Sequence, residues 1–354
     1  MLITILSFIG VLFVLVMAHE LGHFATARAF HVRVEEFGFG FPIPRRLFAI
    51  KRGETTYSIN PLLLGGFVKM AGEEDPTAPG ALASKGIGPR ILVLGAGALM
   101  NALLPIVLFS RAFMLPHNIA LSQVTIQEVK PDSPAALAGI RVGDTVLAVN
   151  NREVRNSADL QRYIQMHLGE QTTILVKHAD TSTQSVSLVP RWRPPAGQGA
   201  TGVVINGGTP TIVGERLPFW QAIPMGLGEC LDTFILFKNS IILMVIGTAP
   251  VAIAGPVGIA QITGEVAKAG IGPLLEFAAF LSINLAIVNI FPLPALDGGR
   301  IAFVLLEWVR RGKRISPRVE GLVHTIGFAL LLMAIMLVTY QDIFRIISGE
   351  GIIR

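Results

Sequence analysis

His19-Glu20-Leu21-Gly22-His23 closes an apolar run that extends from Leu2 to Ala18 without a charged residue. On a helix, positions i and i+4 share a face, so both imidazoles can grip one metal ion. Glu20 then stands beside the first ligand, where a carboxylate serves as general base on a metal-held water. Two histidines and a glutamate at the end of such a helix are costly in lipid, so a functional role is the default reading. The plainer reading is that they mark the helix's exit from the membrane. Interface residues, however, need no i, i+4 spacing.

Two histidines leave a catalytic zinc one protein ligand short, because such sites use three and keep a position open. Asp297 meets that need. It follows Leu293-Pro294-Ala295-Leu296 and precedes Gly298-Gly299, inside a third apolar stretch. An uncompensated aspartate there is unfavourable, and a metal stabilises it. The alternative is a turn aspartate at a helix break, since Asp-Gly is a common turn pair. Pro292 and Pro294 free backbone carbonyls, which is tolerable at membrane depth only beside protein or a wet cavity. Asn284 and Asn289 lie on the approach. They can hold a substrate backbone or an oxyanion, or simply satisfy the broken helix.

Composition supports a membrane setting. The 354 residues are 51% hydrophobic and only 15% charged, against about 25% charged in soluble domains. The expected spans are Leu2 to Ala18, Ile91 to Phe109, Leu274 to Val309 broken by its prolines, and Leu322 to Tyr340. About 20 residues cross a hydrocarbon core. The first stretch lacks both a preceding Lys or Arg and a small-x-small cleavage site, which argues against a signal peptide. Phe234 to Ala254 contains Lys238, Asn239 and Pro250, so an interfacial or re-entrant segment is expected rather than a span. No basic stripe is interleaved with aromatics, so nucleic acid is not an expected partner. The single Cys230 excludes an internal disulfide and a cysteine-based zinc site.

Short-loop charges set the orientation. Arg28 to Arg90 and Arg310 to Arg318 are rich in Lys and Arg, and both links belong in the cytoplasm by the positive-inside rule. Both termini and the long segment after the second span then lie outside. That segment, Ile119 to Arg193, reads as a β-rich domain. Alternation marks strands at Val124 to Val129, Thr145 to Val149 and Thr173 to Val176. Ser157 marks a helix start, and Pro190 to Gly199 reads as a linker.

Taken together, His19-Glu20-Leu21-Gly22-His23 and Asn289-Ile290-Phe291-Pro292-Leu293-Pro294-Ala295-Leu296-Asp297-Gly298-Gly299 resemble the site-2 protease family, in particular its bacterial RseP-like branch. Gly38 to Pro42, Pro61 to Met70 and Gly255 to Ala260 match further family stretches, so the resemblance covers nearly the whole chain. Ser133 to Asn150 resembles the PDZ domains of bacterial proteases, which can bind a chain end at a sheet edge. Two departures stand out. Gly97-Ala98-Leu99-Met100-Asn101 replaces the family's Gly-Pro-x-x-Asn. The chain also has room for one PDZ-like domain where the branch often has two.

The resemblance implies a polytopic α-helical membrane protein. Its four-span metalloprotease core carries a membrane-associated β region and one inserted PDZ-like domain. The implied divisions are 1–118 with the first two spans, 119–193 for the PDZ-like domain, 194–272 for a linker and interfacial segment, and 273–354 with the last two spans. It implies that His19, His23 and Asp297 ligate Zn2+, that Glu20 is the catalytic base, and that Asn284 and Asn289 hold substrate. Gly65 and Gly66 join them in the β region beside the site. Implied partners are the lipid bilayer, single-span membrane protein substrates and an upstream site-1 protease acting on them. The implied location is a bacterial inner membrane, with the site toward the cytoplasm. Two rival readings are a metal-binding or transport protein without proteolysis and a PDZ-based sensor. Glu20 argues against the first, because transport needs no water-activating carboxylate between two ligands.

Overall fold

The computed structural model describes residues 2–42, 45–73, 77–249 and 254–348, with residues 41 and 62–64 entering through their backbone alone. In chain order, α1 (Leu2–Ala29) precedes β1 (Val34–Phe41), β2 (Phe48–Arg52), β3 (Thr55–Ile59), β4 (Leu62–Met70) and α2 (Ile87–Met114). Then come β5 (His117–Leu121), β6 (Val124–Val129), α3 (Pro134–Leu137), β7 (Thr145–Val149), β8 (Arg152–Glu153) and α4 (Ser157–Met166). They are followed by β9 (Thr172–Lys177), β10 (Thr183–Leu188), β11 (Val203–Asn206), β12 (Thr211–Glu215) and α5 (Phe219–Val245). The chain closes with α6 (Pro256–Ala269), α7 (Ile271–Ile290), α8 (Asp297–Val309) and α9 (Pro317–Ile347). Two compact units result: Met1–Ala112 with Ile253–Arg354, and Phe113–Ala252.

In the first unit, α1, α2, α7 and α9 are long and apolar enough to cross a membrane. The expected third span from Leu274 to Val309 needs correction. α7 ends at Ile290 and a new helix, α8, starts at Asp297. Pro292 and Pro294 lack the amide hydrogen that a continuing helix needs. The break is an ordered turn: Leu293 N donates to Phe291 O (2.7 Å), and Ala295 N donates to His324 Nδ1 on α9 (2.9 Å). Ala295 sits at φ 75°, which a non-glycine residue adopts only when its surroundings hold it. α8 has 13 residues, too few to cross the bilayer. Asp297 therefore opens α8, beyond the span rather than within it.

The sheet of this unit has strand order β2-β3-β1-β4. β1 pairs antiparallel with β4 and parallel with β3, leaving β4 at an edge. α6 ties the bundle together from a different direction. Buried Asp342 of α9 accepts the Gly258 N–H in the first turn of α6 (2.8 Å), and Gly264 of α6 packs against Thr4 of α1.

The second unit holds a sheet of order β10-β9-β7-β6-β11, with β8 on β7. Its core gathers Val124, Ile126, Val146, Val149, Ile174 and Val176 from the strands and Leu160 and Ile164 from α4. The alternation expected for β6, β7 and β9 is thus the alternation of a sheet with one face in the core. The helix begins at Ser157, with Asn156 as its cap accepting from Asp159 N (2.9 Å). Residues 190–199 do not lead out of the domain. Beyond them β11 returns and pairs antiparallel with β6.

The described part of the stretch from 234 to 254 includes the second half of α5, while 250–253 lie outside the described residues. Asn239 within it, and Asp232 just before it, have local partners. Asn239 donates to Gln165 O (2.7 Å) and Met166 O (3.1 Å) at the end of α4, and Asp232 pairs with Arg152.

His178, at the end of β9, places both ring nitrogens on acceptors: Nδ1 on Asp144 Oδ1 (2.7 Å) and Nε2 on Gln184 Oε1 (2.9 Å). The bond to Asp144, then that to Gln184, raises its pKa. A raised folded-state pKa adds stability that is complete below the unfolded value and is lost as pH rises through the folded one. Pulse proteolysis in urea should therefore give this unit a higher unfolding midpoint at pH 5.5 than at pH 8. His178→Ala should lower the acid value and remove most of the difference; an unchanged difference contradicts the assignment.

Candidate active site

The His19 and His23 rings project from one face of α1, one helical turn apart. Their Nε2 atoms are 3.2 Å apart, and each lies 3.2 Å from Asp297 Oδ2. Two donors about 2.05 Å from a tetrahedral zinc lie about 3.3 Å apart. The triangle thus has the edge a zinc requires. Protons alone do not explain three mutual contacts of this length, because each edge needs its own donor hydrogen. These are the described residues that group as metal donors. Glu20 is buried on the same helix, 9% exposed.

Glycines make room for the triangle. α2 runs antiparallel to α1, with Ala96 beside Gly22, Val93 beside His23 and Asn101 beside His19. A Cβ built on Gly97 would meet both imidazoles, at 2.7 Å from His19 Nε2 and closer to His23 Nε2. Gly22 likewise lets Ala96 approach. On the other flank, a Cβ on Gly66 would lie 2.8 Å from Val16 Cγ1 and 2.9 Å from Glu20 Cγ. The sheet edge therefore lies directly against the general-base candidate. Gly298 and Gly299 fold the start of α8 back onto the carbonyls of Ile290, Phe291 and Leu293. That closeness delivers Asp297 to the histidines.

His23 Nδ1 donates to Val93 O (2.8 Å), which leaves Nε2 free to bind metal. Around His19 Nδ1 stand Asn101 Nδ2 and Asn289 Nδ2, each at 3.4 Å. The site thus brings together His19, His23, Asp297 and Asn289, with Glu20 and Gly66 in contact range of one another. Asn284 is different: its Nδ2 donates to Phe280 O on its own helix (2.9 Å). Gly65 neighbours Gly66 on β4. Sequence reasoning gave no role to Gly97, Asn101 or His324. A polar Asn101 interrupting an apolar span was a usable signal. A glycine in a helix was not, because helix packing explains it equally well.

A bundle of apolar helices folded around such a triangle is a multi-pass membrane metallopeptidase. The profile of Peptidase family M50 matches residues 7–334, and the chain belongs to that family, the site-2 proteases. A Clostridium acetobutylicum protein designated a zinc metalloprotease is 35% identical over 332 residues, 93% of this chain and 94% of its own. Zinc metalloprotease RasP of Geobacillus kaustophilus is 30% identical, covering 96% and 97% of the two chains. The regulator of sigma-W protease RasP of Bacillus subtilis is 28% identical, covering 97% and 99%. The protein is a zinc metalloendopeptidase, which sets aside the transporter and sensor readings.

Gly97→Ala should displace the imidazoles and lower the zinc content of purified protein well below one per chain, with helical content unchanged. Metal analysis beside circular dichroism checks this. Full zinc loading in a folded Gly97→Ala protein contradicts the packing argument.

Proposed function

We propose that His19, His23 and Asp297 hold the zinc and that Glu20 is the general base of an intramembrane endopeptidase. The 3.2 Å triangle carries this reading. Zinc, when bound, supplies Lewis acidity that activates water and polarises a carbonyl. Glu20 takes a proton from the attacking water and later returns it to the departing amine. Burial of Glu20 on the helix that carries both histidines supports that role. Asn289 lies beside His19 and is placed to hold the substrate carbonyl. Asn284 is a more distant substrate contact, on the same helix.

The substrates are transmembrane segments of single-span membrane proteins, of the anti-sigma-factor or signal-peptide-remnant type. A spanning helix hides its carbonyls in its own hydrogen bonds, so it must unwind before cleavage. The edge strand β4, with Gly66 against Glu20 and Gly65 beside it in the strand, offers backbone to receive it. The relative named for sigma-W regulation supports a role in regulated proteolysis. The second unit acts as a PDZ-like filter outside the membrane, delaying cleavage until a site-1 protease has trimmed the substrate. The basic links support an active site toward the cytoplasm of a bacterial inner membrane, with both termini outside.

Glu20→Gln should lower turnover of a single-span substrate by at least about 100-fold, the scale of general-base catalysis, while zinc content stays at the wild-type level. Retained turnover in purified protein counts against Glu20. Leu121 and Thr211 are Cα partners in the β5–β12 pair, so residues 122–210 can be excised and these ends joined. The shortened enzyme should cut substrates with bulky outer domains that the full chain spares. If it spares them equally, the filter role fails.

A further inference from the structure

Zinc ligation through Nε2 requires the proton of each imidazole to sit on Nδ1, and each Nδ1–H then needs an acceptor. His23 has one in Val93 O, at 2.8 Å. For His19 the nearby groups are the side-chain amides of Asn101 and Asn289, both 3.4 Å from Nδ1. The two differ in burial and in what they leave unsatisfied. Asn101 is 1% exposed, and its Oδ1 is buried without a hydrogen-bond partner. A buried acceptor without a donor is unfavourable. Asn289 is only partly buried.

An amide presents either end to the same neighbour. A half-turn of the Asn101 carboxamide exchanges Nδ2 for Oδ1 beside His19 and needs no backbone movement. With Nδ1 protonated, Nδ2 facing it sets donor against donor; the half-turn lets Oδ1 accept the Nδ1–H instead and moves the amide N–H groups to where Oδ1 stood. The backbone already fixes the residue in place, because Asn101 O accepts from Ser282 Oγ of α7 (2.7 Å).

We propose that Asn101 is the positioning residue for zinc: its Oδ1 accepts the Nδ1–H of His19 and locks the ring in the tautomer that offers Nε2 to the metal. Asn289 is thereby released to face the substrate. α2 thus orients both histidines, one through a main-chain carbonyl and one through a side chain. This rests on His19 being a ligand, and the test separates the two claims.

Zinc affinity of the full-length protein in detergent is measured by chelator competition for wild type, His19→Ala, Asn101→Leu, Asn101→Ala and Asn101→Asp. Loss of an outer-shell partner of a metal ligand weakens binding about 10–100-fold. Asn101→Leu, similar in size, and Asn101→Ala should both show that loss, while Asn101→Asp, which restores an acceptor, should bind within about threefold of wild type. A packing role gives the opposite order, with Leu tolerated and Asp not. If Leu misfolds, the comparison of Ala with Asp decides. Wild-type affinity in Asn101→Leu or Asn101→Ala, or equal loss in Ala and Asp, overturns the proposal. Full affinity in His19→Ala overturns the ligand assignment itself, and this inference with it.

Discussion

Asp297 reaches both imidazoles from 274 residues beyond His23, and the bundle is arranged around that meeting. Isolated in an apolar bundle, a carboxylate and two imidazoles are each expensive, so the site is stable only as a satisfied group. Three kinds of feature bring the donors together. Gly22 and Gly97 let α2 close onto α1. Pro292 and Pro294 end α7. Gly298 and Gly299 turn the chain so that α8 begins against the loop it has just left. α9 supports the turn from behind, with His324 on Ala295 N and Gly327 against Pro294.

This construction separates the chemistry from the membrane crossing. The histidines and glutamate belong to a spanning helix, but the aspartate belongs to a short helix that does not span. Such a division places an irregular stretch of backbone, between α7 and α8, beside the His19, His23 and Asp297 group, an arrangement lipid forbids unless protein or a wet cavity surrounds it. The edge strand β4 brings a second stretch of backbone to the same place. The edge strand thus lies beside Glu20 without interrupting the apolar spans α1, α2, α7 and α9.

Much of this was legible in residue order because its physical signals are local. The i, i+4 histidines report a helix face, and alternation in 124–129, 145–149 and 173–176 reports strands with one buried side. Asp297 was found through the cost of its surroundings. What escaped was non-local. Nothing near residues 190–199 states that β11 returns to β6, because that pairing joins positions 203–206 to 125–129. The prolines announced a break but not that a separate helix would open on Asp297. The resemblance to a Gly-Pro-x-x-Asn stretch marked Gly97, but not its role, which lies in two rings on another helix. Asn239 looked like an obstacle to a span, and the fold gives it carbonyl partners at the end of α4 instead.

X-ray absorption at the zinc edge of the purified, fully loaded enzyme tests the central claim most directly. It should report a first shell of nitrogen and oxygen only, with multiple scattering from two imidazoles, and Asp297→Asn should alter the shell without removing either ring. A shell with more or fewer than two imidazoles, or one that is indifferent to Asp297, would contradict the account.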